Sequence, residues 1–338
     1  MVGLKPMIGR RTLGGFALGL TAVILSAPGA SAHVNWFVDP DATPLPTYGI
    51  GDPVFLGWLV LAGLLVTASV WLDDKLPSPP IAGTRTRHDF MELLRVFTGM
   101  SFLLTAYEGA LLAPHQSAVG PVGTAMLFMQ AGIGIMLIAN RWIAYAAALM
   151  LVLQLGVAMK FGLFAALEYA IYIGIALFLL FNSLEGELQR RLKPYSVDVL
   201  RICTGVSLVA LAIGEKLAPS SLGQTFVAQY QWNFMQGLGV EAFDDRLFVL
   251  SAGMVEAVIG IVLILGTTTR LAILALSVTM AISNVVFILQ GNSEAALVEF
   301  IGHMPIIGVA LVLLLLGYGR RIKVTHAFRS AGTAASGA

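Results

Sequence analysis

Cysteine is almost missing: Cys203 stands alone among 338 residues, so no internal disulfide, CxxC redox pair or thiolate metal cage is available. Charge is scarce too, at 12% against 57% hydrophobic residues, and a mean hydropathy of +0.85 is far more apolar than a soluble domain tolerates. There is no phosphate-binding GxxxxGK motif, no dinucleotide fingerprint between a strand and a helix, and no HExxH. Nucleotide hydrolysis, NAD chemistry and zincin proteolysis therefore have no support, and a bis-histidine haem lacks its pair inside the membrane. The twenty Lys and Arg cluster at helix ends, leave a net charge of +1 and form no basic face, so no nucleic-acid partner is expected. What remains is a polytopic membrane protein, whose first partner is the lipid bilayer.

The chain is organised around RICTGVSLVALAIGEKL, Arg201 to Leu217, because an imperfect copy, RVFTGMSFLLTAYEGALL, occupies Arg95 to Leu112. Each copy carries a glutamate, Glu108 or Glu215, at the end of a helix of hydrocarbon length, and a proline follows. Residues 1–32 read as a signal peptide: Lys5, Arg10 and Arg11 precede an apolar core and an Ala30-Ser31-Ala32 cleavage site. Cleavage leaves His33 as the N-terminus. After an interfacial segment with Trp36, Phe37 and Tyr48, nine apolar segments follow, at about 54–72, 90–112, 121–139, 142–159, 163–183, 197–217, 247–266, 271–290 and 297–317. Most are long enough to cross roughly 30 Å of hydrocarbon.

The repeat extends further: QAGIGIMLI at 130–138 aligns on EAVIGIVLI at 256–264, and a later match pairs Glu168 with Glu299 and Tyr172 with His303. The expected fold is all-α, with one extra helix within residues 33–89, a first four-helix unit at 90–194, a second at 195–319 and a cytoplasmic tail at 320–338. Units of four crossings make parallel repeats. With the mature N-terminus outside, fourteen basic residues fall inside and three outside, a positive-inside bias that places the chain in an inner, plasma-type membrane with its C-terminus in the cytoplasm.

This topology puts Glu108, His115, Glu168, Glu215, Lys216, Glu299 and His303 in the outer half of the membrane or at its outer surface and Glu256 near its midplane. Glu299 and His303, four apart, share a helix face, and a carboxylate beside an imidazole can hold or relay a proton. Two readings stand: Glu215, Glu256, Glu299 and His303 form one outward-opening pocket, or they only tie helices together. Lys216 is expected to snorkel to the headgroups, with pairing to Glu215 or Glu299 as the alternative. Arg95 and Arg201 read as anchors at inner helix ends, Thr98-Gly99 and Thr204-Gly205 as sites of close helix contact, and Cys203 as a small buried apolar residue. The loop at 220–246 reads as an aromatic segment resting on the interface, or else as a lid. A freed His33 offers a chelate suited to Cu(II).

Glu215-Lys216-Leu217, the loop bearing Asn233-Phe234-Met235 and Asp245, the GIVLILG run after Glu256, and the final Gly302-His303 with Pro305 resemble the DoxX/DoxD-like family of four-helix membrane proteins. The likeness covers 197–317, with 95–183 as a degenerate second copy. It implies a quinone-linked redox or electron-transfer subunit like the small membrane subunit of a thiosulfate:quinone oxidoreductase, with a redox partner subunit and with site residues Glu215, Lys216, Glu256, Glu299 and His303. From other classes, a transporter or binding protein for a small solute or copper, or a structural partner without chemistry, remains open.

Overall fold

The computed structural model describes residues 34–39, 41–73, 75–76, 84–315 and 322–323. The expected signal peptide, His33 and nearly all of the expected tail lie outside them. All nine expected apolar segments are helical: α1 (Pro53–Asp73), α2 (Thr84–Tyr107), α3 (Gly120–Ile138), α4 (Ile143–Phe161), α5 (Leu163–Glu168) with α6 (Ala170–Ser183), α8 (Ser196–Ala212), α11 (Asp245–Leu265), α12 (Thr269–Leu289) and α13 (Ser293–Leu315). The short α7 (Gly186–Leu192), α9 (Gly223–Tyr230) and α10 (Phe234–Gly237) lie in connections. Among the described residues seven helical stretches are long and apolar enough to cross a membrane. The chain is an all-α polytopic membrane protein.

Two expected spans differ. The stretch 163–183 is broken at Tyr169, and the carbonyls freed by the break find other donors: Gln154 Nε2 reaches Ala166 O at 2.6 Å, and the Ser207 hydroxyl donates to Glu168 O. Backbone that leaves the helix at membrane depth persists only with such partners. The second span stops at Tyr107 rather than near Leu112, and the chain turns back through an isolated bridge between Ala110 and Ser117. Glu108 is thereby left exposed.

The helices form a ring. In order around it α2, α3, α4, α6, α8, α11, α12 and α13 are neighbours, and α13 returns to α2. The two sets of four therefore do not close as separate bundles. Small residues allow this: a Cβ on Gly174 of α6 would come within 2.8 Å of Cys203 on α8, and one on Gly308 of α13 within 2.8 Å of Leu94 on α2. The contact between α11 and α12 is slighter than that between α12 and α13. Helix α1 lies outside the ring against α11, through Phe55, Leu250 and Met254.

The two motif copies do the same work. The Arg95 guanidinium donates to Leu137 O and Ile138 O, and that of Arg201 to Leu263 O and Ile264 O. Each arginine satisfies the orphan carbonyls at the end of the next helix. One turn along, Gly99 faces Gly134 and Gly205 faces Gly260, so closely that an added Cβ would sit 2.9 Å or 2.5 Å from the opposing carbonyl oxygen. Arg201 is fully buried and also meets Asp198 and Ile322 O. These arginines are thus interior helix caps as well as anchors.

Candidate functional site

On the opposite face, hereafter the upper one, the chain collects the polar residues of the second set of helices around one cavity of about 360 Å³. Its position follows from local backbone. The last turn of the helix after α8, Ile213–Leu217, is π-helical, a rare conformation that recurs at functional sites, and it carries Glu215 and Lys216. Gly223 lets the next segment return against this turn, since a Cβ there would lie 2.7 Å from Glu215 O.

Glu215 is fully buried. Its Oε2 lies 2.9 Å from Lys216 Nζ, its Oε1 accepts the Val34 backbone N–H at 2.6 Å, and Lys216 Nζ also lies 2.8 Å from Glu256 Oε2. The expected snorkelling of Lys216 is therefore corrected. The Lys216 stem runs beside Gly253 and its ammonium bridges two carboxylates, because a buried carboxylate without a cation is far costlier than a headgroup contact forgone. Across the cavity Glu299 Oε1 accepts the Ser283 hydroxyl, and His303 Nε2 stands 3.7 Å from the same oxygen. All five expected residues, Glu215, Lys216, Glu256, Glu299 and His303, line this one cavity. His115 and Glu168 do not.

The segment 220–246 covers the cavity and does not merely rest on an interface. Phe226, Trp232, Phe234, Met235, Phe243 and Phe248 form its roof. Asn233 Nδ2 holds the roof closed, donating to Phe243 O at 2.8 Å and to Asp245 Oδ1 at 2.9 Å, and Asp244 caps α11 by accepting the Leu247 N–H. The segment 34–48 lies over it: Tyr230 donates to Phe37 O, Gln224 to Pro46 O and Arg246 to Thr47 O. Trp36 rests on Gly302, where a Cβ would come 2.9 Å from the ring.

Sequence reasoning missed Ser283 and Val34. Ser283 was legible as a hydroxyl in the middle of an apolar helix. Val34 acts through its backbone, which leaves no mark in a side-chain pattern.

The DoxX family model matches residues 196–289. This part of the chain is similar to a DoxX domain. The match runs from the start of α8 to the end of α12 and so takes in Glu215, Lys216, Glu256 and Ser283, while Glu299 and His303 lie just beyond it. No curated protein and no solved structure matches the chain. Among the described residues no three His, Cys, Asp or Glu are arranged to hold a metal, and the copper expectation at His33 falls outside them.

Proposed function

We propose that the protein is a quinone-linked electron-transfer subunit of the inner membrane, binding the quinone in the DoxX-domain cavity. The observation that carries this reading is the shape of the cavity. Lys216 and Glu256 on one side and Glu299 and His303 across from them face a lining that is otherwise mostly apolar. Val255 and Ile282 line it from α11 and α12 and are 40% and 37% exposed. A ligand dissolved in the bilayer can pass the slight contact between these helices. A water-soluble solute faces the aromatic roof, so the geometry favours a lipid-borne ligand. The volume falls within the roughly 300–1,000 Å³ typical of small-molecule sites, enough for a ring headgroup whose tail leaves between α11 and α12.

Reduction of a quinone to a quinol takes up two electrons and two protons. In this reading Lys216 and His303 donate hydrogen bonds to ligand oxygens, and Glu256 and Glu299 hand on protons. The electrons come from a redox partner docked on the upper face, which in this reading is the outer one. The matching roles of Arg95 and Arg201, and of the Gly99–Gly134 and Gly205–Gly260 contacts, support residues 90–194 and 195–319 as parallel repeats.

Trp232 in the roof provides a test, since a quinone close to an indole quenches its fluorescence. A short-chain quinone should quench the purified protein saturably, Trp232→Phe should remove that component, and Glu299→Gln or His303→Ala should abolish binding. Unchanged binding in both latter variants would refute the assignment.

A further inference from the structure

A second group of buried polar residues lies in the first set of helices, apart from the cavity. Glu168, at the end of α5, is 1% exposed, and neither of its carboxyl oxygens has a hydrogen-bond partner among the described residues. The same holds for both side-chain polar atoms of Gln116, for the Oε1 atoms of Gln130 and Gln154, and for His115 Nδ1. Shared backbone groups and one ring contact bring these residues near one another. Leu111 N–H donates to Gln116 O while Leu111 O accepts Gln130 Nε2 at 2.9 Å, and Gln154 Nε2 donates to the carbonyl of Tyr169, the residue after Glu168. The His115 ring lies 6.1 Å from that of Tyr169. His115 is only half-buried, so the group runs from the upper face to Glu168.

Each buried polar atom left unpaired costs about 1–3 kcal/mol, and seven of them would consume most of an ordinary domain's stability of roughly 5–15 kcal/mol. Ordered water is the usual partner for such atoms. Glu168 does not line the cavity but lies near Glu215, which does. Ser207 of α8 donates to its backbone oxygen, Glu215 lies two turns further along that helix, and the two carboxyl groups are within electrostatic range of each other. The titratable groups around Glu168 are Glu215, Tyr169, Tyr172 and His115.

We propose that the first set of helices houses a water-filled proton path, entered beside His115 and ending on Glu168, which exchanges protons with the Glu215–Lys216 pair. Each proton delivered to the cavity from this pair is replaced by one from Glu168, which regains its own from bulk water through the chain, leaving both groups as they began. The degenerate unit, with Gln130 and Tyr172 where the other has Glu256 and His303, then supplies protons to a site it does not duplicate. The destination of the protons rests on the quinone reading; the path itself does not.

Radiolytic footprinting, in which X-rays split bound water and oxidise adjacent rings, tests the path without ligand or turnover. Tyr169 and Tyr172 should be labelled at least several-fold faster than Phe178, another buried ring on the same stretch, and Gln116→Leu should suppress the difference. Labelling of the tyrosines no faster than Phe178 overturns the path, as does labelling that Gln116→Leu leaves unchanged. Should Gln116→Leu fail to fold, Glu168→Gln keeps the shape. It should leave quinone affinity within about twofold, yet slow proton uptake from the upper face in proteoliposomes tenfold or more. Proton uptake at the wild-type rate in Glu168→Gln removes Glu168 from the path, whereas loss of quinone binding in the wild type would count against the function and not the water.

Discussion

Lys216→Met should destabilise the protein well beyond the loss of a surface ion pair. The substitution keeps most of the stem against Gly253 but removes the ammonium that lies 2.9 Å from Glu215 and 2.8 Å from Glu256. Glu215 is then fully buried with the Val34 N–H as its remaining donor among the described residues. Breaking a buried pair by removing one partner costs about 3–5 kcal/mol. Lys216 and Glu256 retain 21% and 19% side-chain exposure, which lowers the expectation to about 2–3 kcal/mol. Because the penalty belongs to the stranded carboxylate, adding Glu215→Gln should restore at least half of it, since the amide oxygen still accepts from Val34. Unfolding of the purified protein by SDS titration in mixed micelles reads both quantities. A loss below about 0.5 kcal/mol, the range of exposed pairs, or a double variant no more stable than the single one, would refute the reasoning.

Gly205→Ala should cost about 1–3 kcal/mol by overpacking, because its Cβ would meet Gly260 O at 2.5 Å; Gly132→Ala, with nothing within 4 Å, should be neutral or slightly stabilising in the same titration. Arg201→Met should cost about 3 kcal/mol or more, since it strands the buried Asp198 and frees the ends of α11. Burial pushes His115, in the loop after α2, down to about 4. The folded state therefore binds fewer protons than the unfolded one between the usual histidine value near 6.5 and 4, and stability falls as pH drops through that window. Melting curves across it should slope in the wild type and flatten in His115→Gln.

Much of the fold was legible. All nine apolar segments are helical, with 163–183 broken in two, and the repeated Arg-x-x-Thr-Gly pattern marked the places where helices meet through glycine. Residues on one helix face, such as Glu299 and His303, could be paired by spacing alone. The failures arose where long-range contacts override local pattern. Nothing in 163–183 signals a break, because the donors that make it tolerable, Gln154 and Ser207, belong to other helices. Lys216 was misjudged because snorkelling assumes a regular helix end, while the π-helical turn swings its side chain toward Glu256. The aromatic loop was ambiguous in principle, since amphipathic rings suit a membrane interface and a cavity roof equally well. Closure of the ring through α13 and α2 joins residues over two hundred positions apart, beyond any periodicity.

The most direct measurement is the quinone content of the protein purified in mild detergent, wild type beside Glu299→Gln, with folding checked by the same SDS titration. The account predicts close to one quinone per chain in the wild type and loss of most of it in the variant. Folded wild-type protein without quinone, or equal quinone in both, would contradict it.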